Sequence, residues 1–125
     1  MLDIMVVDDS LLLRRSLTSL LQKMGHNVVA QAKSGKEALD LYPKHKPSLI
    51  TLDITMPVMN GIETLKKIRE KYKDDVKVIM ITSHGEEELV IDAITNGAKG
   101  YVLKPITEDK LAEVIIKAVP EYYIL

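Results

Sequence analysis

The sequence predicts an α/β fold, (βα)5, in which a five-stranded parallel sheet is covered by helices on both faces. Three observations predict it. Short apolar runs rich in β-branched residues recur five times, most of them are apolar throughout, and longer stretches with helical spacing separate them. Strands apolar on both sides belong to sheets covered on both sides, and strands alternating with helical segments read as parallel crossover units. With 125 residues, 46% of them hydrophobic, the chain can close a core without covalent staples. Residues 1–125 are expected to form one domain.

The first strand is expected at Ile4–Val7. Leu13, Leu17, Leu20, Leu21 and Met24 then place one apolar stripe on a helix that stops at Gly25. The second strand, Val28–Ala32, carries Gln31 and so reads as an edge strand. Ser34, followed three residues later by Glu37, makes a capping box for a second helix that ends near Pro43. Leu49–Leu52 is the third strand, and Ile62, Leu65, Ile68 and Tyr72 are the buried face of the third helix. Val76–Ile81 is the fourth strand. The helix after it carries Glu86, Glu87 and Glu88 in its first turn, where they suit the positive end of the dipole, and closes at Asn96-Gly97. Gly100–Leu103 is the fifth strand, and Thr107 caps a fifth helix with Leu111, Val114, Ile115 and Ala118 inward. The apolar end after Pro120, Tyr122 to Leu125, is expected to pack on that helix or to meet a partner.

Composition narrows the function. Charged residues are 28% of the chain but the net charge is only -1, without the basic excess that tracks a nucleic-acid backbone. There is no cysteine, which excludes disulfides, thiolate metal sites and thiol nucleophiles and fits a reducing compartment. Nothing at the N-terminus reads as a signal peptide, and no apolar run approaches the roughly 20 residues that span a bilayer. A soluble, cytoplasmic protein that binds neither nucleic acid nor membrane is expected.

Right-handed crossovers with helices on both faces lead to the flavodoxin-like strand order 2-1-3-4-5. The order reverses between the first and third strands, and ligands of such sheets bind in the crevice at those carboxyl ends. Asp8 and Asp9 follow the first strand and Asp53 follows the third. Three crowded carboxylates raise one another's pKa, and a hard divalent cation relieves the repulsion: Mg2+ is expected, with Mn2+ as the alternative. Thr82 and Ser83 end the fourth strand and Lys104 ends the fifth. A carboxylate nucleophile, a metal, a hydroxyl and an ammonium suit phosphoryl transfer, whose transition state asks for positioning and for neutralisation of the peripheral oxygens.

Four segments, VVDDS at residues 6–10, DITMPVMNG at 53–61, ITS at 81–83 and GYVLKP at 100–105, stand on the expected strand ends, and through them the chain resembles the receiver domain of two-component response regulators over essentially its whole length. The resemblance implies that Asp53 is the phosphoacceptor, served by a sensor histidine kinase or a phosphotransfer protein. It further implies that Asp9, Asp53 and the backbone carbonyl of Thr55 ligate Mg2+, with Asp8 binding directly or through water. Lys104 would pair with the phosphoryl oxygens, and Thr82 would close onto them. Tyr101 would follow that closure and switch the surface of the fourth helix, fifth strand and fifth helix toward a downstream target protein. Thr55 and His84 match the positions that govern phosphate lifetime, and Pro105 matches a proline preceded by a cis peptide. Such a protein is a phosphoacceptor switch rather than a turnover enzyme, a monomer or a phosphorylation-dependent dimer, and chemotaxis regulators are the nearest likeness.

Each residue also has a plainer role. Asp9-Ser10 can cap the first helix, Thr82 or Ser83 the fourth, Asp53 can be a turn acid, Lys104 a solvated loop lysine and Tyr101 half-buried packing. His26 and His45 fall in predicted turns without a chemical partner. The competing functions are the receiver half of a longer transcriptional regulator and a haloacid dehalogenase-type Mg2+-dependent phosphatase. The phosphatase pattern wants a second aspartate where this chain has Thr55. A flavin-binding flavodoxin shares the architecture but not the acidic rim.

Overall fold

The computed structural model describes residues 1–73 and 76–123, the side chains of Tyr122 and Tyr123 excepted. In chain order the elements are β1 (Asp3–Val7), α1 (Leu11–Lys23), β2 (Asn27–Ala32), α2 (Gly35–His45), β3 (Leu49–Asp53), α3 (Gly61–Tyr72), β4 (Lys77–Thr82), α4 (Glu87–Thr95), β5 (Gly100–Leu103) and α5 (Glu108–Ala118), followed by a 3-10 turn at Pro120–Tyr123. The sheet is parallel with order β2-β1-β3-β4-β5, as the sequence predicts, and β2 is an edge.

Alternation along the strands builds two cores. Met5, Val7, Ile50, Leu52, Val78 and Met80 point to one face, where Ala38 and Tyr42 of α2, Ile62, Leu65 and Ile68 of α3 and Ala93 of α4 cover them. Ile4, Val6, Leu49, Ile79, Ile81 and Val102 point to the other, under Leu17 and Leu21 of α1 and Leu111 and Ile115 of α5. Each large side chain so buried contributes on the order of 1.5–3 kcal/mol of transfer free energy, so the two faces together clamp the central strands.

The structure departs from the sequence reading at several points. β3 and β4 run one residue past the apolar runs Leu49–Leu52 and Val76–Ile81, so Asp53 and Thr82 are the last residues of their strands. Backbone pairing carries them there, because Asp53 lies opposite Ile81 and Thr82 opposite Leu103. α2 continues through Pro43 to His45, so His45 is helical rather than in a turn. Ser34 caps α2 by accepting from the Glu37 N–H, but the Glu37 carboxylate accepts from Lys33 N–H, so the box is not closed on Ser34 itself. The closed capping box is at Asn60 and Glu63, at the start of α3. His26 has a partner after all: it is buried, and its Nδ1 accepts from the Leu2 N–H at 3.1 Å, tying the turn before β2 to the start of the chain. The expectation for the apolar end concerns Tyr122 to Leu125, whose side chains lie outside the described residues.

Candidate functional site

The site is assembled from strand ends. Asp8 follows β1, and its N–H donates to the Ala32 carbonyl at 3.0 Å, continuing the sheet by one residue. Its carboxylate accepts from the Ser10 N–H at 2.9 Å, and its carbonyl accepts from Arg14 Nη1 at 2.7 Å. Ser10 caps α1 through the Leu13 N–H, so the capping role and the acid pair coexist in one turn. Asp53 ends β3 and is 4% exposed, so its carboxylate has little water to solvate it. One oxygen each from Asp8, Asp9 and Asp53 lie within 4.8 Å of one another, Asp9 being the exposed member.

Lys104 follows β5. Its N–H donates to the Thr82 carbonyl at 2.7 Å, the Lys104–Pro105 bond is cis as expected, and its Nζ reaches Asp53 Oδ1 at 3.3 Å. The ammonium therefore meets the acceptor carboxylate from the side of β4 and β5, while the acids meet it from the side of β1. Burial pushes the Asp53 carboxyl up to about 6, Asp8 adds to the rise, and Lys104 only partly offsets it. Asp8 is likewise raised, mainly by burial, against the Ser10 N–H and the Lys104 charge that lower it. Two buried acids raised in this way, with the exposed Asp9 carboxylate beside them, fit a hard divalent cation with oxygen preference, such as Mg2+ or Mn2+.

Close packing fixes the acceptor from below. A Cβ on Gly61 would stand 2.2 Å from the Asp53 carbonyl oxygen, and the Gly61 N–H donates to Ile54 O at 2.7 Å. The start of α3 can rest against the end of β3 only because residue 61 lacks a side chain. Between them, Val58 is fully exposed with φ of 68°.

The fourth strand end differs from the sequence reading. Neither Thr82 nor Ser83 caps α4; Glu86 stands at the N-cap, and no side chain caps the helix. Glu86 is not paired with the helix terminus either. Its carboxylate turns back over the strand end, where Oε1 accepts from Thr82 Oγ1 at 3.0 Å and from the Ser83 N–H, and Oε2 accepts from Thr55 Oγ1. Burial raises the Glu86 carboxyl, but the bonds from Thr55, Ser83 and Thr82 and the charge of Lys104 outweigh it and hold it below the usual glutamate range. Sequence reasoning missed this residue because three consecutive glutamates read as first-turn acids at the positive end of the helix dipole. A hint was available, since glutamate is a poor N-cap where Ser, Thr, Asp or Asn is preferred.

Of the residues singled out from the sequence, Asp8, Asp9, Asp53 and Lys104 converge, and Thr82 and Thr55 join through Glu86. His84 is exposed in the turn after β4. Tyr101 is 50% exposed and lines a groove with Thr82, Val90, Ile91 and Ile94, between β5 and α4.

Strand order, acid cluster and paired lysine together define a receiver-type fold, and the comparisons with known proteins agree. The chain belongs to the response regulator receiver domain family, whose model matches residues 4–116. It is 41% identical over 114 residues to the chemotaxis protein CheY of Bacillus subtilis, covering 91% of this chain and 94% of that one. To CheY of Listeria monocytogenes it is 40% identical over 118 residues, covering 94% and 98%. Among solved structures, a response regulator receiver domain protein from Clostridium thermocellum superposes with a TM-score of 0.89 at 27% identity, over 99% of this chain and 98% of that one. A chain of the CheX-CheY-BeF3-Mg complex of Borrelia burgdorferi superposes with a TM-score of 0.86 at 34% identity, over 98% of this chain and 90% of that one. Among the described residues no helix is long and apolar enough to cross a membrane.

Proposed function

We propose that the protein is a phosphoacceptor switch of a two-component system, in which Asp53 takes a phosphoryl group from a phosphohistidine and the outcome is read by protein contact, in chemotaxis. The observation that carries this is the setting of Asp53: a buried carboxylate at a strand end, with two acids on one side and the Lys104 ammonium on the other. The chemotaxis reading is supported by the CheY relatives, which are matched over nearly their whole length.

An Asp53 oxygen attacks phosphorus, the bond from phosphorus to the imidazole nitrogen of the donor breaks, and an acyl phosphate forms. Asp8, Asp9, Asp53 and the Thr55 carbonyl are the groups that would hold Mg2+, which supplies neutralisation of charge on phosphoryl oxygens. Lys104, already against Asp53, keeps its ammonium where the transferred oxygens arrive. Thr82 then offers its hydroxyl to the same oxygens, and Tyr101, in the groove beyond it, carries the change to the surface of α4, β5 and α5. Thr55 and His84 stand at the two positions that govern how long the acyl phosphate lasts.

Incubation with Mg2+ and acetyl phosphate, followed by intact-mass measurement, tests the assignment. A gain of one phosphoryl group is expected in the wild type and none in Asp53→Asn. An unlabelled wild type, or equal labelling of the variant, rejects it.

A further inference from the structure

We infer that Glu86 is an internal occupant of the phosphoryl-oxygen site, a carboxylate that holds the donors of the unphosphorylated protein and must withdraw before a phosphoryl group can use them. The inference rests on the acceptor reading of Asp53 and adds to it a residue that controls access to the site.

Three donors from two strand ends converge on this one side chain: the hydroxyls of Thr82 and Thr55 and the N–H of Ser83. Donors converging on an anion, with the Lys104 charge close enough to act on it, are what a tetrahedral oxyanion would also seek. Thr82 Oγ1 cannot donate to a phosphoryl oxygen and to Glu86 Oε1 at once, because a hydroxyl has one proton. The two anions also repel. Phosphorylation and the present position of Glu86 therefore exclude each other.

The backbone explains both why the carboxylate reaches back and what its release would move. Gly85, with φ of 91°, supplies the left-handed residue that reverses the chain, and the Glu86 N–H donates to the Ser83 carbonyl at 3.3 Å. The Glu86 carbonyl accepts from Val90 N–H at 3.0 Å, so the residue that fills the site also begins the first turn of α4. α4 fully buries only Ala93 and has no side-chain N-cap, so little else fixes its start. Withdrawal of Glu86 frees the carboxylate to accept from the open N–H groups of that helix, and the change at the site becomes a change at α4.

The test compares wild type, Glu86→Gln and Glu86→Ala at saturating Mg2+, with acetyl phosphate as donor and beryllium fluoride as the non-transferring probe. Removing a charge-assisted competitor of this kind is expected to raise the phosphorylation rate about tenfold in Glu86→Ala and to lower the half-saturating beryllium fluoride concentration by a similar factor. Glu86→Gln keeps an acceptor oxygen without the charge and should fall between. The Ser83 amide, which donates to Glu86, should shift in wild type on adding beryllium fluoride, read by NMR, and a wild-type resonance that stays in place while beryllium fluoride binds overturns the withdrawal of Glu86. Equal or slower phosphorylation of both variants overturns the inference while leaving Asp53 as acceptor. A wild type that takes no phosphate overturns the acceptor reading itself.

Discussion

The Tyr72 hydroxyl donates to the Leu39 carbonyl at 2.7 Å, supplying the hydrogen bond that Pro43, four residues after Leu39, has no N–H to make. This is why α2 passes through a proline without ending. The same tyrosine stacks its ring on Tyr42 with centroids 4.8 Å apart, so α3 repairs α2 and packs against it with one side chain.

Tyr72→Phe should therefore destabilise the fold by about 1–2 kcal/mol, the cost of an unpaired, part-buried carbonyl. In a Pro43→Ala background residue 43 regains its N–H, and most of that cost should vanish. Urea unfolding of the four proteins of this cycle measures the coupling. Additive effects would show that the hydroxyl does not replace the missing bond.

The same pair shows where sequence reasoning stops. Each strand was legible because apolar β-branched runs are a local signal, and the strand order followed from handedness. The acid cluster was legible because Asp8, Asp9 and Asp53 are polar residues against apolar strands, and topology alone brings those ends together. Pro43 signals the end of a helix in the sequence, and its repair comes from Tyr72, 29 positions away. Glu86 reads as a first-turn acid that suits the helix dipole, because its hydrogen bond to Thr55 comes from 31 positions away and its bond to Thr82 needs the turn at Gly85. Asp53 and Thr82 lie one residue past the apolar runs that mark their strands, because their side chains are polar while their backbones remain in the ladder.

Gly61→Ala should damage the site and the fold together. The added Cβ meets the Asp53 carbonyl at 2.2 Å, and backbone against backbone leaves no flexible side chain to yield. A loss of about 1–3 kcal/mol is expected, with slower acetyl phosphate labelling of Asp53. Gly25→Ala is the control: it sits in open space after α1, where only its φ of 91° is strained, so it should destabilise without slowing labelling in the folded protein. Equal labelling rates for the two variants would detach Gly61 from the site.

Metal-free stability should depend on the ionisation of Asp53. The carboxyl is raised to about 6 in the fold, from 3.8. A raised carboxyl contributes stability while protonated and loses it as pH climbs through the folded value, so Asp53 opposes folding at neutral pH by about 3 kcal/mol. His26, held low by burial, pulls the other way over part of this range. The contrast with Asp53→Asn isolates the effect. In EDTA the variant should be the more stable protein at pH 7.5, and the gap should close toward pH 4. Mg2+ should shrink the gap at pH 7.5 by stabilising only the wild type. A gap independent of both pH and Mg2+ would mean that the three acids do not crowd one another.

Lys104 decides how far Asp53 can be used as a nucleophile without metal. Its charge and its hydrogen bond both lower the Asp53 carboxyl, against burial and Asp8, which raise it. Lys104→Ala removes both lowering effects and leaves the raising ones in place, so the Asp53 midpoint should move above about 6. The titration is read directly from the carboxyl carbon resonance in metal-free protein. Since only the ionised carboxylate attacks phosphorus, the variant's labelling by acetyl phosphate at low Mg2+ should show a steeper rise between pH 6 and 8 than the wild type's. An unmoved midpoint would mean that the 3.3 Å contact does not persist in solution, and Lys104 would then act only once the phosphoryl group has arrived.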